Sequence, residues 1–328
     1  MADYKKYQSD GVSAEDKALD KFAELMIEKI ESLKNSDSWK QPWFTEGSLR
    51  WPRNLSGREY NGMNALLLMM LCEKQNYKLP VFCTFNRAVG LNYTTDKQGA
   101  KKPITDADGQ PLPRVGINKG EKSFPVMLTT FTVVDKDTKE KINYEDYKRL
   151  SNDEKAQYNV YPKLNVYQVF NVDQTNLKEA RPDLYAKLES ENKLQRPFSG
   201  EGESFKFPAM DAMIAENKWI CPINLVRQDN AYFSISKNQI TLPEKSQFKD
   251  GESFYGTAFH EMTHSTGTAE MFNRFNPESG FGSAEYAKEE LVAELGSALV
   301  AQRYGMTKNL KDDSAVYMKS WLDSFKES

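Results

Sequence analysis

The stretch Phe259-His260-Glu261-Met262-Thr263-His264 decides how the rest of this chain is interpreted. On a helix, His260 and His264 stand one turn apart on the same face, which is the spacing with which two imidazoles bind a single Zn²⁺. Glu261 lies beside that face, where its carboxylate can reach a metal-bound water and act as a general base. The chain has only two histidines, and both lie in this motif. The motif therefore predicts a zinc site with hydrolytic chemistry rather than an accidental pair of histidines on a helix.

A catalytic zinc site needs a third protein ligand, and because no histidine is left and no cysteine is nearby, we expect a carboxylate. We prefer Glu290, on a helix predicted over 284–304, because Glu294 one turn later can accept a hydrogen bond from a ligand histidine. Glu289 and Glu294 itself remain alternatives, as does Glu270, which stands where the HExxHxxGxxH class of zinc peptidases carries its third histidine. Small residues beside this carboxylate stripe would let the helix approach the metal helix closely: Ala293, Ser297, Ala298 and Ala301.

The length of 328 residues and an ordinary globular composition predict two domains of the α+β class. Residues 1–12 have the composition of a flexible polar tail ahead of a first domain over 13–194. The Gly-, Ser-, Pro- and Glu-containing stretch 195–208 is typical of a linker. A second domain, which carries the metal motif, is expected over 209–328.

Hydrophobic periodicity predicts the main elements of the first domain. Apolar residues at helical spacing indicate a helix that begins after Ser13, and an apolar run after Asn61 indicates a second, buried helix. Alternating side chains predict strands over 124–134 and 166–172. Between these strands, 135–163 is interpreted as a polar insertion with one short helix.

An aromatic and basic segment of the first domain is the candidate nucleic-acid surface. The stretch from Arg50 to Lys122 contains 12 Lys and Arg against 6 Asp and Glu, although the net charge of the chain is −3. Tryptophans beside arginines can stack on bases and contact phosphates. The same tryptophans can equally pack over the helices, and the charge can equally form a solvated mixed-charge face. The candidate DNA-binding residues are Trp43, Trp51, Arg53, Arg58, Tyr60, Lys119 and Lys122.

The cysteines and the apolar runs indicate the compartment. Cys72, Cys83 and Cys221 are far apart and form no CxxC pair, so neither a disulfide framework nor a cysteine zinc site is predicted. The first residues lack the apolar core of a signal peptide, and the longest apolar run, 65–72, is too short to span a bilayer. We therefore expect a cytoplasmic protein without a membrane partner.

Motifs in both halves of the chain, taken together and in this order, resemble the ArdC-type antirestriction proteins. These motifs are Pro52-Arg53-Asn54, Ser56-Gly57-Arg58-Glu59-Tyr60-Asn61-Gly62-Met63-Asn64, Lys119-Gly120-Glu121-Lys122, Tyr167-Gln168-Val169-Phe170-Asn171-Val172-Asp173-Gln174, Ala231-Tyr232-Phe233, Ile240-Thr241-Leu242-Pro243, His260-Glu261-Met262-Thr263-His264-Ser265-Thr266-Gly267 and Tyr286-Ala287-Lys288-Glu289-Glu290-Leu291-Val292-Ala293-Glu294. The chain departs from that family in polar insertions at 94–114 and 136–163, and at Asn238, where similar proteins tend to carry Asp.

The resemblance implies an N-terminal domain that binds single-stranded DNA without sequence preference, followed by a zincin-like metallopeptidase domain. It also implies protection of incoming plasmid or transposon DNA from restriction, and carriage on mobile elements.

Together with the residues, this predicts an antirestriction-type protein with a Zn²⁺-dependent peptidase site and an unknown protein substrate. The strand predicted over 239–242 is a candidate for pairing with an extended substrate. Two alternatives remain, namely a DNA-shielding protein whose zinc is only structural and a peptidase that binds no DNA.

Overall fold

The computed structural model of the chain describes residues 13–34, 50–96, 98–192, 198–200, 205–275, 283–306 and 321. Trp43 of the predicted DNA-binding set lies outside the described residues, as does much of the predicted linker. By backbone contacts the chain divides into two compact units. The first unit consists of the chain up to Phe22 together with Phe82–Arg181. The second unit consists of Ala23–Val81 together with Pro182–Ser328. This grouping differs from the predicted division at 195–208, which stays a prediction.

Helices and strands are mixed along the chain, as the predicted α+β class requires. The helices are α1 (Ala14–Lys34), α2 (Gly62–Gln75), α3 (Phe85–Gly90), α4 (Tyr144–Arg149), α5 (Asn152–Lys155), α6 (Leu177–Ala180), α7 (Pro182–Glu191), α8 (Pro208–Ala215), α9 (Gly251–Ser265) and α10 (Ala284–Arg303). The strands are β1 (Arg53–Asn54), β2 (Val81–Thr84), β3 (Tyr93–Thr95), β4 (Lys101–Pro103), β5 (Phe124–Asp135), β6 (Lys141–Ile142), β7 (Tyr158–Asn171), β8 (Ile223–Val226), β9 (Tyr232–Ser234) and β10 (Gln239–Pro243).

The first unit is built on an antiparallel sheet in which β7 pairs with β2 on one side and with β5 on the other, and β5 pairs with β6. The β5–β7 ladder runs without interruption from Phe124 opposite Val169 to Asp135 opposite Tyr158. Its first part is buried at Phe124, Val126 and Val169, its middle part from Leu128 to Thr132 is exposed, and Val133 near its far end is buried again. The expected insertion at 135–163 with one helix is therefore wrong in part, because its last residues extend β7 and two short helices, α4 and α5, precede them. The alternating pattern is lost there because the middle of this ribbon is exposed on both faces.

Within the second unit, the helix predicted after Asn61 is the most deeply buried N-terminal element. All eight side chains from Ala65 to Cys72 in α2 are buried, so the helix shows almost no amphipathic pattern. Its polar C-terminal turn is tied to α1 by an ion pair of 2.8 Å between Glu73 and Lys29.

The C-terminal part of the second unit places a three-stranded sheet against α9. In this sheet β10 is central, parallel to β8 and antiparallel to β9. The prediction that this strand pairs with a substrate is therefore wrong, because both of its edges are already hydrogen-bonded. The core between the sheet and α9 contains Ile223, Ile240, Leu242, Phe254, Tyr255, Ala258 and Phe259. Among the described residues, no helix is long and apolar enough to cross a membrane.

Candidate metal centre

The helix α9 carries both histidines, and local contacts fix where it begins. Asp250 caps the helix by accepting a hydrogen bond of 2.7 Å from the Ser253 N–H. Gly251 follows at a point where an added Cβ atom would lie only 2.5 Å from the Phe205 Cβ. Any larger side chain would push α9 away from this contact. One face of α9 packs on the sheet through the shared core, and His260 and His264 contact the glutamates of α10.

Three side chains from α9 and α10 meet at one point. The Nε2 atoms of His260 and His264 are 3.1 Å apart. One carboxylate oxygen of Glu290 lies 3.4 Å from His260 Nε2, and the other lies 3.6 Å from His264 Nε2. Within the described part of the chain, His260, His264 and Glu290 are the group whose donor atoms could hold one metal ion, since these atoms lie within 4.8 Å of one another.

The spacing of these donor atoms is compatible with one bound metal ion. Zinc bonds of about 2.0–2.1 Å at tetrahedral angles place neighbouring donor atoms about 3.3 Å apart. The separation of 3.1 Å between the two Nε2 atoms is close to that value, and each Nε2 atom has a different Glu290 oxygen at 3.4 or 3.6 Å. Two neutral imidazole lone pairs and a carboxylate repel one another at such distances unless a cation or a proton lies between them. The chemistry of the donor set therefore fits a divalent metal.

The outer nitrogen of each histidine faces its own glutamate on α10. His260 Nδ1 lies 3.5 Å from Oε1 of Glu294, which is fully buried. His264 Nδ1 lies 3.3 Å from Oε1 of Glu289. A carboxylate at Nδ1 favours the tautomer that keeps its proton there, which leaves the Nε2 lone pair free for a metal. Glu294 thus lies where the sequence argument expected it, and its role stays a prediction.

Close packing brings the carboxylates of α10 near the histidines. Ala293, Ser297 and Ala298 are buried in α10, as expected for a close approach. At Gly296 an added Cβ atom would lie 2.6 Å from Thr263 Cγ2 and 2.9 Å from Thr263 Oγ1. The two helices therefore touch where Gly296 of α10 meets Thr263 of α9, the residue before His264.

We expect Gly296→Ala to destabilise the protein by about 1 kcal/mol, because overpacking costs about 1–3 kcal/mol and alanine regains at most about 1 kcal/mol of helix propensity. Separation of α9 and α10 should also weaken metal binding. Thermal unfolding and a chelator titration measure both effects. Adding Thr263→Ala to the Gly296→Ala variant removes the two atoms that clash with the new Cβ and should restore most of the lost stability. Gly90→Ala, where an added Cβ meets nothing within 4 Å, is the matched control. Unchanged stability in Gly296→Ala would contradict the close approach.

Sequence reasoning missed the part played by Arg274 and Glu289. Arg274 donates to both carboxylate oxygens of Glu289, from Nε at 2.9 Å and from Nη2 at 3.0 Å. Burial raises the pKa of Glu289, but the hydrogen bonds from His264 and Arg274 outweigh it and lower that pKa. In the sequence, Arg274 is a single arginine ten residues after His264, and no periodic spacing indicates that it contacts Glu289 on α10.

The remaining catalytic candidates differ in exposure. Glu261, the predicted general base, is 3% exposed and follows His260 directly on α9. Glu270, the alternative third ligand, is exposed and lies outside the three-residue metal group. A cavity of about 630 Å³ beside β8 and the end of α8 contains none of the metal-site residues in its lining and is distinct from the candidate site.

The N-terminal DNA-binding candidates have structural partners of their own. Trp51 Nε1 donates to the Tyr60 carbonyl at 2.6 Å, and the Arg303 guanidinium lies 5.2 Å from the Trp51 ring centroid. Arg53 is an ion-pair partner of Glu191 at 2.8 Å, with only 14% of its side chain exposed. Arg58 is exposed on the turn that follows β1. The contacts favour the structural alternative for Trp51 and Arg53.

Lys119 and Lys122 lie in the first unit, on the turn that leads into β5. Both are exposed, and Gly120 between them has a φ of +92°, which favours glycine. The Gln174 side chain fastens this turn by donating to the Lys122 carbonyl at 2.9 Å and to Glu121 at 2.8 Å. The turn therefore presents two lysines on a fixed backbone.

Two family models match separate parts of the chain. Residues 16–170 match the N-terminal domain of anti-restriction factor ArdC, and residues 208–328 match a zincin-like metallopeptidase. The two matched regions lie on either side of the predicted linker.

Relatives of known sequence include two Escherichia coli proteins named DNA primase TraC, 29% identical over 316 residues and 25% identical over 311 residues. These alignments cover 93% and 94% of this chain but only 18% and 25% of the relatives, so the chain spans about a quarter or less of their length. A Sinorhizobium fredii protein named y4eC is 32% identical over 96 residues, which is 29% of this chain and 31% of that protein.

Two crystal structures of the antirestriction protein ArdC from plasmid R388 share the fold. The metal-free structure has a TM-score of 0.60 at 23% identity, and the Mn(II)-bound structure has a TM-score of 0.61 at 22% identity. Each comparison covers 94% of this chain and 89% of the other. Together with the two domain matches, this shows that the chain has the fold and the domain order of ArdC, in which an ArdC N-terminal domain precedes a zincin-like metallopeptidase domain.

Proposed function

We propose that the C-terminal domain contains the active site of a zinc-dependent peptidase. The observation that carries this proposal is the convergence of His260, His264 and Glu290, whose donor atoms lie within 4.8 Å of one another, with Glu261 next to the first ligand. A bound zinc ion would supply a Lewis acid for the scissile carbonyl and a water of lowered pKa. Glu261 would take the proton from that water and pass it to the leaving amine. Glu289 and Glu294 would keep both histidines in the tautomer that binds metal.

The substrate side of this proposal rests on the exposed strand β9. Among the described strands, β9 is an edge of the C-terminal sheet, so its outer backbone groups are available to an extended peptide. Tyr232 is 45% exposed on this strand. Phe233 stacks on Phe275, which packs against Gly267 two residues beyond α9, so the strand is joined to the end of the metal helix. An extended polypeptide on β9 replaces the predicted pairing on β10.

Peptidase activity can be tested without knowing the natural substrate. The zinc-loaded chain is incubated with a proteome-derived peptide library, and new termini are identified by mass spectrometry. Cleavage that disappears after chelation and returns with added zinc supports the proposal. The absence of metal-dependent cleavage, in a preparation shown to contain zinc, would favour the alternative in which zinc only stabilises the domain.

We further propose that the N-terminal domain binds single-stranded DNA without sequence preference and that the protein acts in the cytoplasm. The exposed and fixed lysines of the 119–122 turn support phosphate contacts, and Arg58 offers a further cation. The basic excess between Arg50 and Lys122 supports the same assignment.

Single-stranded DNA binding should weaken as salt rises, and the double variant Lys119→Ala with Lys122→Ala should show a flatter salt dependence. Each phosphate contact contributes about 0.7 to the slope of log affinity against log salt, so losing two contacts should reduce the slope by about 1.4. Fluorescence polarisation of a labelled oligonucleotide at several salt concentrations measures this slope. The control Lys237→Ala with Lys249→Ala removes the same charge from exposed positions of the C-terminal domain. If the control weakens binding instead, the DNA surface has been assigned to the wrong half of the chain.

A further inference from the structure

We infer that Arg274 is a positioning residue for the metal centre. It keeps Glu289 as the partner of His264 Nδ1 and prevents it from acting as a metal ligand. This inference rests on the proposed metal site and adds a residue that the HExxH motif does not contain. The adjacent residues Glu289 and Glu290 are chemically identical, and the sequence left both open as the third ligand. The contacts of Arg274 distinguish them.

The Arg274 guanidinium donates hydrogen bonds to both carboxylate oxygens of Glu289. Its Nε donates to Oε2 at 2.9 Å and its Nη2 donates to Oε1 at 3.0 Å. This two-point contact fixes the plane of the carboxylate, because the guanidinium fork is rigid. The remaining capacity of Oε1 is directed at His264 Nδ1, 3.3 Å away. Glu289 therefore faces the outer nitrogen of His264, whereas Glu290 faces the Nε2 atoms of both histidines.

Arg274 is anchored to the same helix that carries His264. Its Nη2 also donates to the Thr263 carbonyl at 2.9 Å, and its Nη1 donates to Thr266 Oγ1 at 3.0 Å. These acceptors lie on either side of His264, at the C-terminal end of α9. One side chain thus links the end of α9 to Glu289 on α10, so the imidazole and its carboxylate partner cannot move independently.

The backbone after α9 delivers Arg274 to this position. The Gly267 N–H donates to the His264 carbonyl at 2.8 Å, and the Arg274 N–H donates back to the Gly267 carbonyl at 3.0 Å. The Phe275 ring lies where a Cβ on Gly267 would come within 2.8 Å of it. The segment 267–275 is therefore a closed loop that returns Arg274 to the metal helix.

The charges around Glu289 give Arg274 a second effect. Glu289 and its side-chain neighbours are largely buried, with 13% exposure for Glu289 and 23% for Arg274. Two further carboxylates, Glu290 and Glu294, face the same histidines. A buried carboxylate without a cation is costly, so removing Arg274 should let Glu289 turn away from His264 toward solvent, which leaves the imidazole without its partner.

The test compares Arg274→Ala, Arg274→Lys and the control Arg227→Ala, an exposed arginine on the β8–β9 loop. All are measured as full-length chains. Zinc affinity is determined by competition with a chelator, and Arg274→Ala should bind zinc about 10–100-fold more weakly, the cost typical of losing a partner of a ligand histidine. Arg274→Lys keeps the charge but not the fork and should fall between Arg274→Ala and wild type. Arg227→Ala should match wild type.

A spectroscopic readout separates positioning from general stability. Because the chain has only two histidines, ¹⁵N labelling of histidine gives ring signals from His260 and His264 alone. In metal-free wild type, His264 should carry its proton on Nδ1, and Arg274→Ala should shift His264 toward the other tautomer without changing His260. The absorption spectrum of the Co²⁺-loaded protein should change in the same variant.

Glu289→Gln completes the test, because a neutral glutamine can still accept from His264 Nδ1 but needs no cation. Removing Arg274 in the Glu289→Gln background should therefore weaken zinc binding much less than in wild type. If Arg274→Ala fails to fold, Arg274→Lys and Glu289→Gln provide the same comparison. Equal zinc affinity and an unchanged His264 signal in a folded Arg274 variant would overturn the inference alone. A wild type that takes up no zinc would overturn the proposed metal site as well.

Discussion

His264→Ala is expected to eliminate metal binding that the wild type retains through purification. The wild type should contain about one zinc ion per chain, as a site with three protein ligands predicts. His264 supplies one of the three donor atoms, and its Nε2 lies 3.1 Å from that of His260. Its loss should lower the affinity by more than about 100-fold, which is the upper end of what the loss of an outer partner alone costs. Elemental analysis of protein purified without added metal measures the content.

The same measurement of zinc content shows which carboxylate is the metal ligand. Glu290→Gln should lose zinc as His264→Ala does, whereas Glu270→Gln should keep it because Glu270 is exposed and outside the cluster. Circular dichroism shows whether each variant is folded. If a folded Glu290→Gln variant retains zinc but Glu289→Gln loses it, then Glu289 is the metal ligand and Glu290 is not. Metal contents that include manganese would leave the ligand set intact and change the identity of the ion, since a Mn(II)-bound form is known for the R388 protein.

The local features of this site could be predicted because they follow from spacing within one helix. His260 and His264 are one turn apart on any α-helix, and Glu294 stands one turn after Glu290 for the same reason. The small residues of α10 indicated that the two helices approach closely, and Gly296 against Thr263 is such a contact. These are properties of 3.6-residue periodicity, which the sequence carries directly.

Features that depend on how the chain returns on itself could not be predicted. Arg274 reaches Glu289 only because the loop after Gly267 closes, and this closure leaves no periodic signal. The pairing of β10 on both sides likewise depends on β8, whose residues pair with β10 residues 17 positions later in the sequence. The long β5–β7 ribbon was underestimated because a two-stranded ribbon exposed on both faces needs no alternation of polar and apolar residues.

The DNA-binding set shows the limits of composition. Tryptophan and arginine are suited both to base stacking and to packing within the protein, so their presence alone does not decide between the two. Arg53 pairs with Glu191, and that contact lowers the pKa of Glu191 by hydrogen bonding. Arg53→Ala would remove a structural ion pair together with any phosphate contact. The exposed Lys119 and Lys122 therefore give the cleaner experiment.

Glu261→Gln is expected to reduce metal-dependent peptide cleavage by about 10²–10⁴-fold while leaving the zinc content unchanged, since this is the usual contribution of a general base. The substitution keeps the shape of the side chain at a position that is 3% exposed, so packing should be preserved. It removes the ability to accept a proton. Cleavage rates on the peptide library, measured at equal zinc content, give the size of the effect.

Glu270→Gln is the matched control for Glu261→Gln, because it makes the same chemical change on an exposed residue six positions after His264. It should cleave at the wild-type rate. In a cell-based restriction-protection assay, a peptidase mechanism requires Glu261→Gln to lose protection while its single-stranded DNA binding stays intact. Wild-type cleavage by Glu261→Gln would remove this residue from the chemistry. Full protection by a variant that no longer cleaves would instead show that the protein shields DNA by binding and that its metal centre serves another purpose.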